Sequence, residues 1–232
     1  MGRARLHDTV KDLGWGNGLA YLLMRALHRL SAGRARLVKY DLVVQPLLHD
    51  QPVCRGRGRN LHVRELSPGE AQLVGGVRDP AIITAREQQG ARCLGVLRDE
   101  HLLGVLWYAT APYQEDEVRC LFVPTPADRA VWDFDVYVIP EERLGLAFGK
   151  IWEEACQRLA AQGYRYTCSR ISAFNPASRT AHERLGARIV GKATFLCVGP
   201  WQAMVSTLRP FVHISLRPVS RPRIEVGPPK DL

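Results

Sequence analysis

Hydrophobic residues recur at helical spacing near the start of the chain and alternate with polar residues further along. From Asn17 to Leu30, leucines and alanines fall every three or four positions with basic residues on the other side, which predicts an amphipathic helix. The following LVKYDLVVQPLL predicts a strand or extended segment that ends at Pro46. A basic, glycine-broken loop, CRGRGRN, then separates this part from the rest.

After this loop the pattern becomes more regular. HVREL predicts a short strand, and Ser67 followed three positions later by Glu70 predicts a capping box at the start of a helix. A second helix is expected between residues 79 and 90. ARCLGVLRDEHLLGVLWYAT then predicts a β-hairpin with its turn at Asp99-Glu100.

The second half of the chain predicts strands and helices in turn. Strands are expected at about 117 to 123 and 130 to 139, a helix from about Gly145 to Gln162, a strand in YRYTCSRISAF, a short helix after Asn175, and strands in ARIVGKATFLCVG and near FVHISLR. This order contains one β-α-β unit and predicts an α/β or α+β sheet protein. The chain divides into a basic N-terminal helix and extended segment (1–60), a main domain (61–217) and a proline-rich tail (218–232) that is expected to be loose.

Positive charge is concentrated at the start of the chain. The net charge of +9 arises mostly in residues 1–64, which hold 12 Arg and Lys against four Asp, or +8. A basic amphipathic helix of this kind either lies on an anionic membrane surface or packs on the domain. The loop CRGRGRN could contact phosphates of CoA, of a nucleotide sugar or of RNA. Because the chain lacks nucleic-acid-binding motifs, nucleic acid is not the expected partner.

Other features favour a cytoplasmic protein. The six cysteines show no C-x-x-C spacing, which favours reduced thiols in the core over zinc sites or redox dithiols. Charged residues interrupt the leucines of the first helix, so no secretory signal is expected, and no apolar run reaches the length of a membrane span. The sequence also lacks the signatures of serine hydrolases, P-loop NTPases and zinc proteases.

The β-α-β unit carries the first candidate site. Residues 131 to 139 alternate as a strand, and Gly163 lies just past the end of the helix that follows. The turn between them, PEERLGLA, leads into the helix N-terminus beside Gly145 and Ala147. Free backbone N–H groups and the helix dipole attract phosphates at such a turn, although many turns of this kind bind nothing.

A short helix in NPASRTAHERLG carries the second candidate site. Asn175 is a suitable N-cap. An apolar stripe from Ala177 to Leu185 is predicted to face the core. Ser178 and His182 share a polar stripe with Asn175, and by itself this stripe is typical of the solvated face of a surface helix.

Together these two segments resemble the GNAT N-acetyltransferase superfamily. In that family a strand ending V-x-P leads into an Arg/Gln-x-x-Gly-x-Gly/Ala loop, and a later helix reads roughly N-x-x-A/S-x-x-L-Y-E-K-L-G-F. This chain has V-I-P at 138–140, E-R-L-G-L-A at 142–147, and N-P-A-S followed by A-H-E-R-L-G-A between 175 and 187. The resemblance covers about 61 to 217 and implies a mixed, mostly antiparallel sheet flanked by helices.

The resemblance implies acetyl-CoA, or another acyl-CoA, as the cofactor. Glu142 stands where the family usually has Arg or Gln, unless Arg143 takes that role after a one-residue shortening of the loop. A carboxylate near a pyrophosphate is unfavourable. His182 stands where the family commonly has a tyrosine that is thought to protonate the departing thiolate, so it is the candidate general acid. The residues expected to contact the cofactor are Val138, Arg143, Leu144, Gly145, Leu146, Ala147, Asn175 and Ser178.

An amine that attacks the acyl group needs a base to remove its proton. Asp133 and Asp135 alternate with aromatic residues, so they are predicted to lie on one face of their strand. Asp133 is preferred because of its distance from Val138, whose backbone N–H would polarise the acyl carbonyl. The acidic run at 115–117 is an alternative source of the base.

The resemblance therefore implies an N-acyltransferase that moves an acyl group to an amine of a small molecule or amino sugar by direct attack. The alternative is a catalytically silent GNAT-fold binding or regulatory protein with an anionic partner, either nucleic acid or membrane. A longer acyl-CoA or an aminoacyl carrier as donor also fits the sequence. A dimer is compatible with the sequence, which leaves the oligomeric state open.

Overall fold

The structure is a computed structural model that describes residues 13–48, 53–72 and 79–229. Its helices are α1 (Trp15–Leu30), α2 (Pro68–Ala71), α3 (Pro80–Gln88), α4 (Ala147–Ala161) and α5 (Pro176–Glu183). Its strands are β1 (Ala35–Pro46), β2 (His62–Glu65), β3 (Arg92–Arg98), β4 (His101–Ala109), β5 (Tyr113–Gln114), β6 (Leu121–Pro124), β7 (Ala130–Val138), β8 (Tyr166–Ser172), β9 (Arg188–Val198), β10 (Trp201–Ser206), β11 (Val212–Ser215) and β12 (Arg223–Val226).

Nine of these strands form one sheet, in the order β11-β10-β9-β1-β8-β7-β4-β3-β2. Every neighbouring pair is antiparallel except β7 and β8, which run parallel. The strands β12, β6 and β5 form a smaller sheet. Within the described residues this confirms the predicted mixed, mostly antiparallel sheet flanked by helices.

Local signals in the sequence place several elements correctly. The backbone N–H of Ser67 donates to Glu70 Oε2 at 2.9 Å, as a capping box requires. The hairpin between β3 and β4 turns at Asp99 and Glu100, which both have positive φ (47° and 63°). Two such residues give a turn whose twist matches the flanking strands, and Asp tolerates this conformation better than most residues.

The predicted boundary at residue 60 divides strands of one sheet. β1 lies in the middle, hydrogen-bonded to β8 on one side and to β9 on the other. Its residues Leu42 and Val44 are fully buried. A strand buried on both faces reads as a continuous apolar run, as in DLVV, which explains why the N-terminal segment is part of the core rather than an extension.

The predicted loose tail is wrong for part of its length. β12 pairs in parallel with β6, and its residues Ile224 and Val226 are fully buried. Two alternating apolar residues among prolines are too short a pattern to indicate a strand by themselves. β10, in WQAMVS, is likewise a strand that the sequence pattern left unassigned.

The helices divide between the two faces of the large sheet. α1, α4 and α5 lie on one face, which we call the α4 face, where Trp152 of α4 is fully buried. α2, α3 and the small sheet lie on the other, the α3 face, where Ile83 of α3 joins the core. Aromatic stacking fills the α3 face, with the rings of Tyr113 and Phe134 4.0 Å apart.

A β-bulge in β7 overturns the predicted arrangement of the two aspartates. Trp107 of β4 is opposite Asp135 and Tyr108 is opposite Asp133, so Phe134 is an extra residue in β7. Trp107 belongs to the core on the α3 face and Tyr108 to the core on the α4 face. Because cross-strand neighbours share a face, Asp133 faces α4 and Asp135 faces α3, and the prediction of one common face is wrong.

A buried ion pair connects α3 to β7 on the α3 face. Arg86 is only 1% exposed, and its Nη1 donates to Asp135 Oδ2 at 2.8 Å while its Nε donates to Asp116 Oδ2 at 3.0 Å. The guanidinium also lies 5.1 Å from the ring centre of Trp107 and 5.0 Å from that of Phe134. These contacts compensate for the loss of hydration of the buried charges.

We expect Arg86→Met to lower the free energy of unfolding by about 3–5 kcal/mol, because two largely buried carboxylates lose their cation. Urea unfolding measures this loss. Arg64→Met is the matched control, since the ion pair of Arg64 with Glu70 is exposed and such pairs contribute about 0–1 kcal/mol. Equal losses in the two variants would contradict a structural role for the Arg86 ion pair.

Candidate functional site

The large sheet opens between its two parallel strands. β7 and β8 pair only from Ala130 to Asp133 and from Tyr166 to Ser169, although both strands continue beyond these residues. The chain turns from β7 into α4 and from β8 into α5, so both helix N-termini follow the carboxyl ends of these strands. A crevice at the carboxyl ends of parallel strands is a common position for a ligand.

The N-terminus of α4 has no side-chain cap. No acidic residue lies in its first turn, and the N-cap Leu146 makes no side-chain hydrogen bond to the helix. Just before it, the backbone N–H of Gly145 donates to the carbonyl of Glu142 at 2.9 Å, which closes the turn. The helix therefore presents backbone N–H groups and the positive end of its dipole, and an anion fits this arrangement.

Glu142 is held beside this turn by Arg98 of β3. The two side chains form a two-pronged ion pair with distances of 2.6 and 3.0 Å. A Cβ at Gly145 would lie 3.0 Å from Glu142 Oε2, so the glycine permits this close approach. The carboxylate does lie near the turn, as the sequence indicates, but Arg98 compensates for its charge.

The residues between β7 and α4 have different environments. Arg143 Nε donates to the carbonyl of Val138 at 3.2 Å, while Leu144 is fully exposed and Ala147 is fully buried. The backbone N–H of Ile139 donates to Leu103 of β4. Because N–H groups alternate between the edges of a strand, the N–H of Val138 points to the other edge, where β7 and β8 separate.

The short helix α5 is rotated relative to the prediction. Ala177, expected in the core, is exposed, whereas His182 is buried. Asn175 is the N-cap, as predicted, and its side chain accepts from the N–H of Ser178 at 3.1 Å. Arg179 bonds to Asp41 of β1 at 3.3 Å, so the polar side of α5 packs on the sheet. A buried polar residue such as His182 departs from the usual distribution of polar residues and therefore needs an explanation.

His182 lies in an aromatic and amide environment between α4, α5 and β1. Its Nδ1 is 3.0 Å from Gln45 Oε1, and its ring meets Trp152 and Phe148 edge to face at 5.4 and 5.8 Å. Burial lowers the pKa of His182 to about 4. The imidazole is therefore neutral near pH 7, and this does not favour the general-acid role expected from the sequence.

Two further residues at this place were not recognised in the sequence. Gln45 and Trp152 are both buried, and Gln45 Nε2 and Trp152 Nε1 have no hydrogen-bond partner within the described ranges. Gln45 follows the apolar run of β1, where a buried amide is unexpected. A glutamine at the end of this apolar run is the one feature of the sequence that could have pointed to Gln45. Its place beside His182, however, depends on the pairing of β1 with β8, which joins segments far apart in the chain.

Asp133 lies where the two parallel strands begin to separate. It pairs with Ser169 in register and is only 3% exposed. Burial raises the pKa of Asp133 to about 7, although the hydroxyls of Thr167 and Ser169 and the charge of Arg170 lower it in part. A carboxyl group with this pKa can accept or donate a proton near neutral pH.

The α3 face of the opening carries a second polar group of residues. Arg170 of β8 bonds to Glu115 at 2.6 Å, and Tyr40 donates to Glu117 at 2.5 Å. An open cavity of about 280 Å³ lies beside these residues, and its lining includes Glu115, Glu117, Arg36 and Gln202. Asp135 is separate from it, because its carboxylate is bound to Arg86.

Cysteine chemistry does not contribute to the site. All six cysteines lie within the described residues, are buried and form no disulfide, and burial raises the pKa of the Cys156 thiol to about 11. Thiols of this kind are inert packing residues. In the ranges that the structure describes, no group of three or more His, Cys, Asp or Glu residues is placed to hold a metal ion.

No protein-family model matches the sequence, and no curated protein is significantly similar to it. A conserved protein of unknown function from Staphylococcus epidermidis is similar in structure, with a TM-score of 0.50 and 11% identity over 75% of this chain and 66% of that one. A GCN5-related glucosamine N-acetyltransferase region of a fungal multidomain β-N-acetylglucosaminidase has a TM-score of 0.46 and 15% identity. The match covers 72% of this chain and 22% of that one. An aminoglycoside N-acetyltransferase in complex with CoA has a TM-score of 0.40 and 18% identity. The match covers 56% of this chain and 90% of that one. At these identities the likeness concerns the fold alone.

The buried imidazole makes folding stability depend on pH. Because the pKa of His182 falls from 6.5 to about 4 on folding, the unfolded chain binds this proton more readily. Stability from the neutral ring is present above about pH 6.5 and is lost as the pH falls toward about 4. We expect the wild type to lose about 3 kcal/mol of unfolding free energy relative to His182→Phe between about pH 7 and about pH 4.

Urea unfolding of both proteins across this range measures the difference. The carboxyl group of Asp133 has the opposite pH dependence, because its pKa rises on folding, but it is present in both proteins and cancels. A difference that does not change with pH would show that the ring is not held neutral by burial.

Proposed function

We propose that this chain is an acyl-CoA-dependent N-acyltransferase of the GNAT type, which moves an acetyl or other acyl group to an amine. The observation that carries the proposal is the separation of β7 and β8 directly after Asp133, beside the uncapped N-terminus of α4. This geometry agrees with the motifs at 138–147 and 175–187. It would bring together anion-binding N–H groups, an open strand edge and a buried acid at the carboxyl ends of the same two strands.

The donor would be held by the backbone more than by side chains. The N–H groups of Gly145, Leu146 and Ala147 are suited to the pyrophosphate of CoA, which supplies the acyl group as a thioester. The ion pair of Glu142 with Arg98 removes the electrostatic objection to an anion at this turn. Arg143 and the exposed Leu144 flank the same turn, and Asn175 and Ser178, at the start of α5, would line the cofactor from the neighbouring strand.

Asp133 is the proposed base. Its carboxylate would accept the proton of the attacking amine, and its pKa of about 7 suits this step near neutral pH. The N–H of Val138, which points into the opening, would donate to the acyl oxygen as that oxygen gains negative charge. His182 would position groups through neutral hydrogen bonds rather than by donating a proton, and Asp135 would serve the structure.

The cavity on the α3 face is the proposed acceptor site, and the amine would reach Asp133, which faces α4, through the opening between β7 and β8. Glu115 and Asp116 line it but are bound to Arg170 and Arg86, so Glu117 is the carboxylate that would attract an amine protonated in solution. Arg36 and Arg119 line the same cavity and would contact anionic or hydroxyl groups of the acceptor. A small-molecule amine or an amino sugar has both kinds of group.

Asp133→Asn should lower kcat by about 10²–10⁴-fold, because a general base contributes about this much. It should leave the affinity for acetyl-CoA unchanged and abolish the rise of kcat/KM with pH through about 7. Thiol release from acetyl-CoA, measured with a panel of small amines and amino sugars, gives both values. Asp128→Asn, at an exposed position, is the control. An Asp133→Asn protein that keeps the wild-type pH profile would exclude Asp133 as the base.

Calorimetric titration with acetyl-CoA and CoA tests the donor site separately. We expect micromolar binding by the wild type and about tenfold weaker binding by Gly145→Ala, because a Cβ there would press on Glu142. Gly69→Ala is the control, since a Cβ at Gly69 meets open space. No binding of either compound by the wild type would refute the proposal, and binding without turnover on any amine would favour the catalytically silent alternative.

A further inference from the structure

The helix α1 turns an apolar stripe away from the sheet. Trp15, Leu19, Leu23 and Leu30 follow helical spacing and are 81%, 63%, 54% and 88% exposed. The opposite side of α1 packs on the sheet, where Asn17 accepts from Lys39 of β1 at 2.8 Å. An amphipathic helix on a globular domain normally buries its apolar stripe, so the outward orientation needs an explanation.

The neighbouring strands expose an apolar surface on the same face of the sheet. Trp201 pairs with Val198, and Val205 pairs with Val212, and all four side chains are exposed. Lys39, which contacts α1, pairs across the strands with Thr194 of β9. Thr194 in turn pairs with Val205 of β10. Cross-strand neighbours share a face, so α1 and this part of β9, β10 and β11 lie on one side of the protein. We call the outward stripe of α1 together with these exposed strand residues the α1 surface.

The segments that form the α1 surface contain arginine and lysine but no aspartate or glutamate. Residues 13–40, which contain α1, hold five Arg and Lys and no Asp or Glu. Residues 188–215, from the start of β9 to the end of β11, hold three Arg and Lys and again no Asp or Glu. Exposed apolar side chains grouped on one side of a protein mark an interaction site, and the excess of basic residues in these segments favours an anionic partner.

We propose that the α1 surface docks on an anionic lipid bilayer. Leucine, valine and tryptophan side chains enter the boundary between headgroups and acyl chains, while arginines and lysines contact the lipid phosphates. A second copy of the chain is a poorer partner, since its surface would bring the same positive charges without an acidic counterpart. The docking is peripheral: within the described ranges, no helix is long and apolar enough to cross a membrane.

Vesicle co-sedimentation tests the proposal without reference to enzymatic activity. We expect the wild type to sediment with vesicles of phosphatidylcholine mixed with phosphatidylglycerol, to stay in solution with phosphatidylcholine alone, and to be released by salt. Leu19→Ser combined with Leu23→Ser should abolish sedimentation. Both positions are exposed, so the substitutions leave the fold intact.

Charge is tested by a matched pair of variants. Arg29→Gln with Arg34→Gln should weaken binding about 30-fold, because each basic residue near the surface contributes about fivefold. Arg129→Gln with Arg165→Gln removes the same charge from exposed positions elsewhere and should bind like the wild type. Equal binding by both pairs, or equal sedimentation with phosphatidylcholine alone, would overturn the proposal. A lipid-free dimer that the leucine variant converts to a monomer would assign the α1 surface to a second copy instead.

Discussion

The separation of β7 from β8 after Asp133 is the constraint on which the rest of the site depends. Backbone N–H and carbonyl groups of a strand must find partners, and two parallel strands normally provide them for each other. Here the pairing stops at Asp133 and Ser169, and the next residue, Phe134, is the bulge opposite β4. The bulge turns the end of β7 while keeping it bonded to β4, so its free edge faces an opening that a ligand can fill.

The bulge also gives the two aspartates of β7 different roles. Asp135 turns to the α3 face, where Arg86 compensates for its charge and the aromatic rings exclude water. Asp133 turns to the α4 face, where hydroxyl groups are its neighbours and burial raises its pKa to about 7. A fully paired carboxylate stabilises the fold, whereas a buried one without a strong cation is available for proton transfer. One inserted residue therefore separates a structural acid from a candidate catalytic one.

The sequence predicted the caps and turns, which depend on neighbouring residues. It missed the strand pairings and ion pairs that join residues far apart in the chain. The capping box at Ser67, the hairpin turn at Asp99 and the cap at Asn175 follow from local chemistry, and the structure has all three. The central position of β1, the parallel pairing of β12, and the contact of Glu142 with Arg98 join residues far apart in the chain. Strand pairing depends on packing between such segments, and no pattern within one segment specifies it. The inward rotation of α5 was missed for a related reason, because a polar stripe faces inward only where the sheet offers polar partners.

The proposed lipid contact and the proposed site are joined by one aromatic pair. Tyr21 of α1 meets Phe174 edge to face at 5.6 Å, and the next residue, Asn175, caps α5 beside the opening. Lys39 and Gln45, on the same strand, contact α1 and His182 respectively. Docking of α1 on a bilayer would therefore fix how the opening is oriented relative to the headgroups. The α1 surface and the proposed acceptor cavity lie on opposite faces of the large sheet, so docking would leave this cavity turned toward the solution and open to amines dissolved there.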